Sequence, residues 1–232
     1  MKALLIVGTD TEVGKTILTT SLAAYWRSHF APKSLALMKL VQTGVGDGER
    51  YRQLFGSHDC IEIVTPLCYA TPLAPPLAAE REGRTVELDK VWQAFCQLQQ
   101  HRDFVLVEAL GGLGSPVTWE LTVADMAGEW RLETVLVVPV KLGAISQAVA
   151  NVALARQAKV NLRGIVLNCI QPVTAEQLAD WAPINLIESL TYVPVLGILP
   201  YLSDVNDLEK LAQVASDLDL EALFSRRHQS KI

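Results

Sequence analysis

Lys2-Ala3-Leu4-Leu5-Ile6-Val7 runs straight into Gly8-Thr9-Asp10-Thr11-Glu12-Val13-Gly14-Lys15-Thr16, after which Ile17, Leu18, Leu22, Tyr25 and Trp26 recur at helical spacing. A nearly continuous apolar run is what a strand buried on both faces requires. The loop that follows joins that strand to a helix over residues 16–30. A glycine-bearing turn at such a junction aims several backbone amides at one anion, and the helix N-terminus adds its partial positive charge. Lys15 supplies a mobile cation for the β- and γ-phosphates of a nucleotide, and the Thr16 hydroxyl suits Mg²⁺. The strict pattern starts its glycine where Thr9 stands, and Gly8 lies one residue earlier. The flanking strand and helix supply the context that the motif needs.

Outward from this loop the same alternation repeats. Residues 35–40, 104–108, 134–140, 164–168 and 193–199 read as further strands. Residues 47–55, 86–100, 145–159, 175–186 and 208–223 read as helices. Strand and helix in alternation predict an α/β protein with a mostly parallel, doubly wound sheet covered by helices on both faces. Residues 65–82 break the rhythm, because Pro66, Pro72, Pro75 and Pro76 predict loop or extended chain there. The expected organisation is one domain over residues 1–232, with a polar tail at 225–232 that frays.

Several polar residues sit where such a sheet presents its ligand crevice, beyond the carboxyl ends of its strands. Lys39 interrupts the apolar run of the second strand, adding a second cation, and Thr43 follows closely. Glu108 closes the third strand and is placed to bind Mg²⁺, with Gly111 and Gly112 just beyond. Asp47 and Glu49 are rival candidates for a third metal ligand. Lys141-Leu142-Gly143-Ala144 opens a helix suited to a carboxylate. Asn168 ends the fifth strand and can read a base edge, and Pro200-Tyr201-Leu202 can lie along a nucleotide ring; ordinary loop roles suit these as well. Asp10 and Glu12 are unexpected beside a polyphosphate, since each needs a cationic partner there. Asp10 can cap the turn, and Glu12 suits a substrate ammonium or a lysine.

Composition excludes several classes. The chain is 50% hydrophobic and 19% charged, which rules out a disordered protein. A net charge of −5 argues against holding a nucleic-acid backbone by bulk charge. No apolar run approaches the roughly 20 residues of a membrane span, and Asp10 and Glu12 break any leader pattern. A cytoplasmic protein without nucleic-acid or membrane partners is therefore expected. Cys60, Cys68, Cys96 and Cys169 lack metal-ligand spacing and read as reduced, mostly buried thiols.

With these residues in view, the chain resembles the dethiobiotin synthetases. Gly8–Thr16 is similar to that family's phosphate loop, including its internal Asp and Glu. Val107-Glu108 with Gly111-Gly112, Val140-Lys141-Leu142-Gly143 and residues 75–84 resemble its later blocks. The resemblance implies a P-loop NTPase fold and an ATP- and Mg²⁺-dependent ligase of biotin biosynthesis. It inserts CO₂ between the two amines of 7,8-diaminopelargonic acid, giving ADP and phosphate. It implies Lys39, Lys15 and Glu12 as catalytic residues, and Thr16, Asp47 and Glu108 as metal ligands. Nucleotide contacts are implied at residues 12–17 (Glu12, Val13, Gly14, Lys15, Thr16, Ile17), at Asp47, at Glu108, Ala109, Leu110 and Gly111, and at Asn168, Cys169, Pro200, Tyr201 and Leu202. Thr43, Leu142 and Gly143 are implied as substrate contacts, the last two across the interface of a homodimer. Leu40, Ala109-Leu110 and Cys169 depart from the residues common in the family.

Two other readings carry the same loop. Partition or septum ATPases have a signature lysine five residues before the loop lysine, where this chain has Asp10. A corrinoid amide ligase usually has an appended glutaminase domain, for which this length leaves no room.

Overall fold

The protein is described by a computed structural model over residues 2–224; the tail at 225–232 lies outside the described residues. Seven strands form a wholly parallel sheet. They are β1 (Ala3–Gly8), β2 (Leu35–Lys39), β4 (Ile61–Val64), β6 (Phe104–Gly112), β7 (Glu133–Pro139), β8 (Asn161–Asn168) and β9 (Val195–Leu199). Their order is β4-β2-β6-β1-β7-β8-β9. The chain therefore goes from β1 to β2 and then β4, returns to insert β6 between β2 and β1, and crosses to the other side of β1 with β7. The ligand crevice of such a sheet lies at this reversal, above the carboxyl end of β1. Strands β3 (Val41–Thr43) and β5 (Leu67–Tyr69) form a separate parallel pair.

Alternation along each strand sends side chains into two cores. Leu4, Ile6, Leu37, Leu106 and Val137 pack against α1 (Lys15–His29), α2 (Asp47–Phe55) and α9 (Leu208–Ser216). Leu5, Val7, Met38, Val107 and Val138 pack against α4 (Leu88–His101), α5 (Val123–Glu129), α6 (Ala144–Gln157) and α8 (Ile184–Thr191). Both faces are covered, which is why the strands read as unbroken apolar runs.

The sequence expectations fail at several places, among them β3 and β4, where no strand was expected. Residues 65–82 contain β5 and the helix α3 (Pro75–Arg81), whose two prolines occupy its first turn, where no amide donor is needed. The helix expected over 175–186 ends at Trp181 as α7 (Ala175–Trp181); Pro183 then caps α8. The one expected over 208–223 is split into α9 and α10 (Leu220–Phe224). Helix α5 was not expected, although Thr122 and Asp125 form the capping box that starts it. Of the four thiols only Cys169 is buried, and Cys68 is exposed. Among the described residues no helix is long and apolar enough to cross a membrane.

Candidate active site

The phosphate loop hangs between β1 and α1 and is tied from three sides. Thr9 donates its amide to the Val137 carbonyl at 3.1 Å, its hydroxyl reaches Gln147 of α6 at 3.3 Å, and Asn168 Nδ2 donates to the Val13 carbonyl at 2.9 Å. Glu12 holds a left-handed φ of 55°. That conformation costs a residue with a Cβ about 1–2 kcal/mol, a strain the ties support. The Asp10 carboxylate accepts from the Thr11 amide at 2.7 Å, and so caps the turn.

Lys15 folds back over the loop and donates to the Asp10 carbonyl at 2.9 Å. Burial pushes its ammonium from 10.5 down to about 8; Lys39 adds to the shift, while Glu108, Asp47 and Asp10 oppose it. Bound phosphates would favour the charged form again. Nucleotide binding at pH 8 is therefore expected to take up about half a proton per site. Above pH 8 its affinity should fall, by up to about tenfold per pH unit. Calorimetry in buffers of different ionisation enthalpy measures this, and proton-neutral binding at pH 8 would contradict it.

Parallel pairing sets Lys39, the last residue of β2, beside Glu108 of β6. Strand β6 continues to Gly112, so Glu108 lies within the strand rather than at its end, as the sequence had suggested. Its side chain is fully buried and receives four donors. Lys39 Nζ at 2.8 Å and Thr16 Oγ1 at 3.1 Å meet Oε1; Thr19 Oγ1 at 3.0 Å and the Tyr51 hydroxyl meet Oε2. Lys39 also pairs with Asp47 at 2.5 Å and donates to the Ala109 carbonyl at 3.2 Å. Burial alone would lower the Lys39 pKa, but the attraction of Glu108 and Asp47 outweighs it and the pKa is raised. Burial would raise that of Asp47, and Lys39 and Thr16 more than offset this, holding it low. The Tyr51 phenol is pushed well above its usual value, by burial first and then by the charge of Glu108, so it stays a donor.

Asp47 Oδ1 lies 2.8 Å from Thr16 Oγ1. One hydroxyl proton thus faces two carboxylates, and three hard oxygens converge at the start of α1. Among the described residues no group of three His, Cys, Asp or Glu could hold a metal. Mg²⁺, however, is commonly bound by one or two carboxylates together with substrate phosphates and water, so this donor set fits it. Glu49 faces away, accepting from Gln42 Nε2 at 2.7 Å and the Gly46 amide at 3.0 Å.

These groups line an open cleft of about 410 Å³. Glu12, Gly14, Lys15, Thr16 and Ile17 line it, as do Lys39, Thr43, Asp47, Glu108, Leu110 and Gly111. Val13 and Ala109 are buried behind it and contribute backbone carbonyls.

A sequence profile described as an AAA domain matches residues 2–209. The ATP-dependent dethiobiotin synthetase of Gloeothece citriformis is 71% identical over 224 residues, covering 97% of this chain and 99% of its own. That of Crocosphaera subtropica is 61% identical, covering 97% and 100%. The chain belongs to the dethiobiotin synthetase family. A dethiobiotin synthetase from Bacillus cereus remains 30% identical over 94% of this chain and 90% of its own. Solved structures similar to this synthetase include a ParA-family ATPase from Chlorobium tepidum, with a TM-score of 0.62, 14% identity and coverage of 96% and 97%. Cell-division protein MinD from Aquifex aeolicus gives 0.56, 14%, 96% and 95%. At such identity they share the P-loop NTPase fold alone.

The other expected residues of this synthetase lie apart from the cleft. Asn168 is buried, with its amide nitrogen committed to the phosphate loop rather than turned to a base; its oxygen is the acceptor left for one. Cys169 is buried beside it. Tyr201 is exposed next to Pro200, and Leu202 packs on the core. Leu142 is 83% exposed, and Gly143 holds a φ of 93° at the start of α6. Tyr51 and Thr19 were not among the expected residues. The i, i+4 relation of Asp47 to Tyr51 on α2, and the i, i+3 relation of Thr16 to Thr19 on α1, were their visible signals.

Proposed function

We propose that this single-domain synthetase uses ATP and Mg²⁺ to insert CO₂ between the amines of 7,8-diaminopelargonic acid, closing the ureido ring of dethiobiotin. The observation that carries this is the meeting of Lys15, Lys39, Thr16, Asp47 and Glu108 at one phosphate loop. In the proposed sequence one amine adds to CO₂ and loses a proton, giving a carbamate. A carbamate oxygen takes the γ-phosphoryl group and ADP leaves. The second amine then attacks the carbonyl carbon and gives up a proton, phosphate departs with the C–O bond electrons, and the ring closes.

Each proposed role follows from charge. Negative charge gathers on the carbamate and the transferring phosphoryl group, and cations fixed in advance stabilise it. Lys15 and Lys39 are such cations. Glu12, exposed on the cleft wall, suits a substrate ammonium, and the Thr43 hydroxyl an amine. Asn168, Cys169 and residues 200–202 form the base side, where Asn168 Oδ1 can accept from an amino group. Lys15 and Lys39 balance Asp47 and Glu108, so a polyphosphate brings uncompensated charge. Bound by Thr16, Asp47 and Glu108, Mg²⁺ would neutralise that charge and polarise the phosphoryl oxygens. The exposed Leu142 and Gly143 suit a homodimer, in which the start of α6 serves the neighbouring subunit's substrate.

Incubation with the diamine, bicarbonate and MgATP is expected to yield dethiobiotin, ADP and phosphate. No dethiobiotin under conditions where ATP binds would overturn the proposal. Glu108→Gln should raise the Mg²⁺ needed for half-maximal nucleotide binding by about tenfold or more, worth about 1.4 kcal/mol; an unchanged titration would remove Glu108 from the metal site. The likeness to ParA and MinD is one of fold alone, and Asp10 stands where their signature lysine would be, so a switch ATPase is not favoured. Nor is a corrinoid amide ligase, given relatives named as dethiobiotin synthetases across nearly the whole chain.

A further inference from the structure

We infer that Tyr51 is the positioning residue for Glu108: its hydroxyl pins Oε2 inside the protein and so keeps Oε1 turned to the cleft. The inference rests on the proposed role of Glu108 as a metal ligand. Tyr51 is fully buried on α2, one turn after Asp47, so one short helix presents an oxygen donor to the cleft and a hydroxyl to the carboxylate behind it.

The four donors around Glu108 are not equivalent. Thr16 has one hydroxyl proton, and both Glu108 at 3.1 Å and Asp47 at 2.8 Å face it. Thr19 also has one, divided among Glu108 at 3.0 Å, the Lys15 carbonyl at 2.9 Å and the Tyr51 oxygen. Lys39 spreads its protons over Glu108, Asp47 and the Ala109 carbonyl. The Tyr51 hydroxyl donates to Glu108, and its other side-chain partner, Thr19, acts there as a donor to the phenol oxygen, so the Tyr51 proton is left to Glu108. It is thus the undivided donor of the set. Thr16 and Lys39 hold Oε1 on the cleft side and exchange partners when a ligand enters. The grip on Oε2 does not depend on that exchange, so it sets where the free oxygen points. Groups that orient a ligating carboxylate in this way typically change metal affinity by about 10–100-fold when removed.

Tyr51→Phe keeps the ring and deletes the hydroxyl. Binding of a fluorescent ADP analogue, titrated with Mg²⁺, is the readout, alongside its binding in EDTA and thermal melting. The half-saturating Mg²⁺ is expected to rise about tenfold, with the EDTA affinity within about twofold of the parent. Glu108→Gln in the same assay separates the two ideas. If it leaves the Mg²⁺ midpoint unchanged, the metal role of Glu108 fails; if it moves the midpoint and Tyr51→Phe does not, the positioning role alone fails. An equal loss with and without Mg²⁺ in Tyr51→Phe would also overturn the inference, because a packing defect acts on both. Should Tyr51→Phe not fold, Thr19→Val decides. With Tyr51 left in place its midpoint should rise by about threefold or less, and a tenfold rise would make Thr19 the controlling donor and overturn the inference.

Discussion

Lys39→Ala is expected to lower kcat by about 10²- to 10³-fold, the usual cost of removing one preorganised charge from a transferring group, while nucleotide affinity changes by less than about threefold. The asymmetry follows from where Lys39 sits. Before any substrate enters it is balanced by Glu108 at 2.8 Å and Asp47 at 2.5 Å, so a resting nucleotide gains little from it. Charge that develops on the carbamate and the phosphoryl group during transfer is what it is proposed to meet. The substitution has a second, separable effect. Breaking a buried ion pair by deleting one partner typically costs about 3–5 kcal/mol. Here Glu108 keeps Thr16, Thr19 and Tyr51 as donors, so the cost belongs at the lower end. Rate measurements below the variant's melting temperature keep the effects apart. Equal losses in kcat and nucleotide affinity would reduce Lys39 to a plain nucleotide contact.

Gly14→Ala is expected to weaken nucleotide binding by about 100-fold or more, close to 2.7 kcal/mol. Two causes combine. Gly14 holds a φ of 94°, and a Cβ there would lie 1.9 Å from Asn168 Nδ2 and 2.9 Å from its Cγ. The Asn168 amide would have to leave the Val13 carbonyl, releasing one of the ties that shape the loop. Gly143 supplies the control: its φ is 93°, and nothing lies within 4 Å of its would-be Cβ. Gly143→Ala therefore carries backbone strain of about 1–2 kcal/mol without the collision, and its nucleotide affinity should stay within about threefold of the parent. Titration of both variants with ADP reads the difference. Equal affinities would show that the contact with Asn168 does not shape the loop.

Local pattern was enough for the phosphate loop, because strand, turn and helix are contiguous there and Gly8, Gly14, Lys15 and Thr16 act within one turn of chain. It was also enough for Lys39 and Glu108, since a charge that interrupts an apolar strand must have a buried partner. Their partnership was out of reach, because it comes from parallel register between β2 and β6, elements whose spacing in sequence says nothing of their neighbours. The choice between Asp47 and Glu49 was open for a related reason. Two residues apart on a helix they point to different sides, and only the placement of α2 against β6 says which side meets Thr16. Proline misled at residues 65–82, where composition argued for loop and position in the first turn permitted a helix.

By itself the sequence determined the fold class and the kind of ligand, since apolar periodicity fixes which faces are buried and a glycine-lysine-threonine turn makes an anion site from its own backbone. Tertiary structure alone decided the protonic and ionic order of the site. Which donor holds which oxygen of Glu108, where Asn168 spends its amide and how Lys39 is balanced depend on distances of about 3 Å between residues far apart in the chain. Hydrogen bonds and ion pairs are short-ranged, and only packing brings their partners within reach.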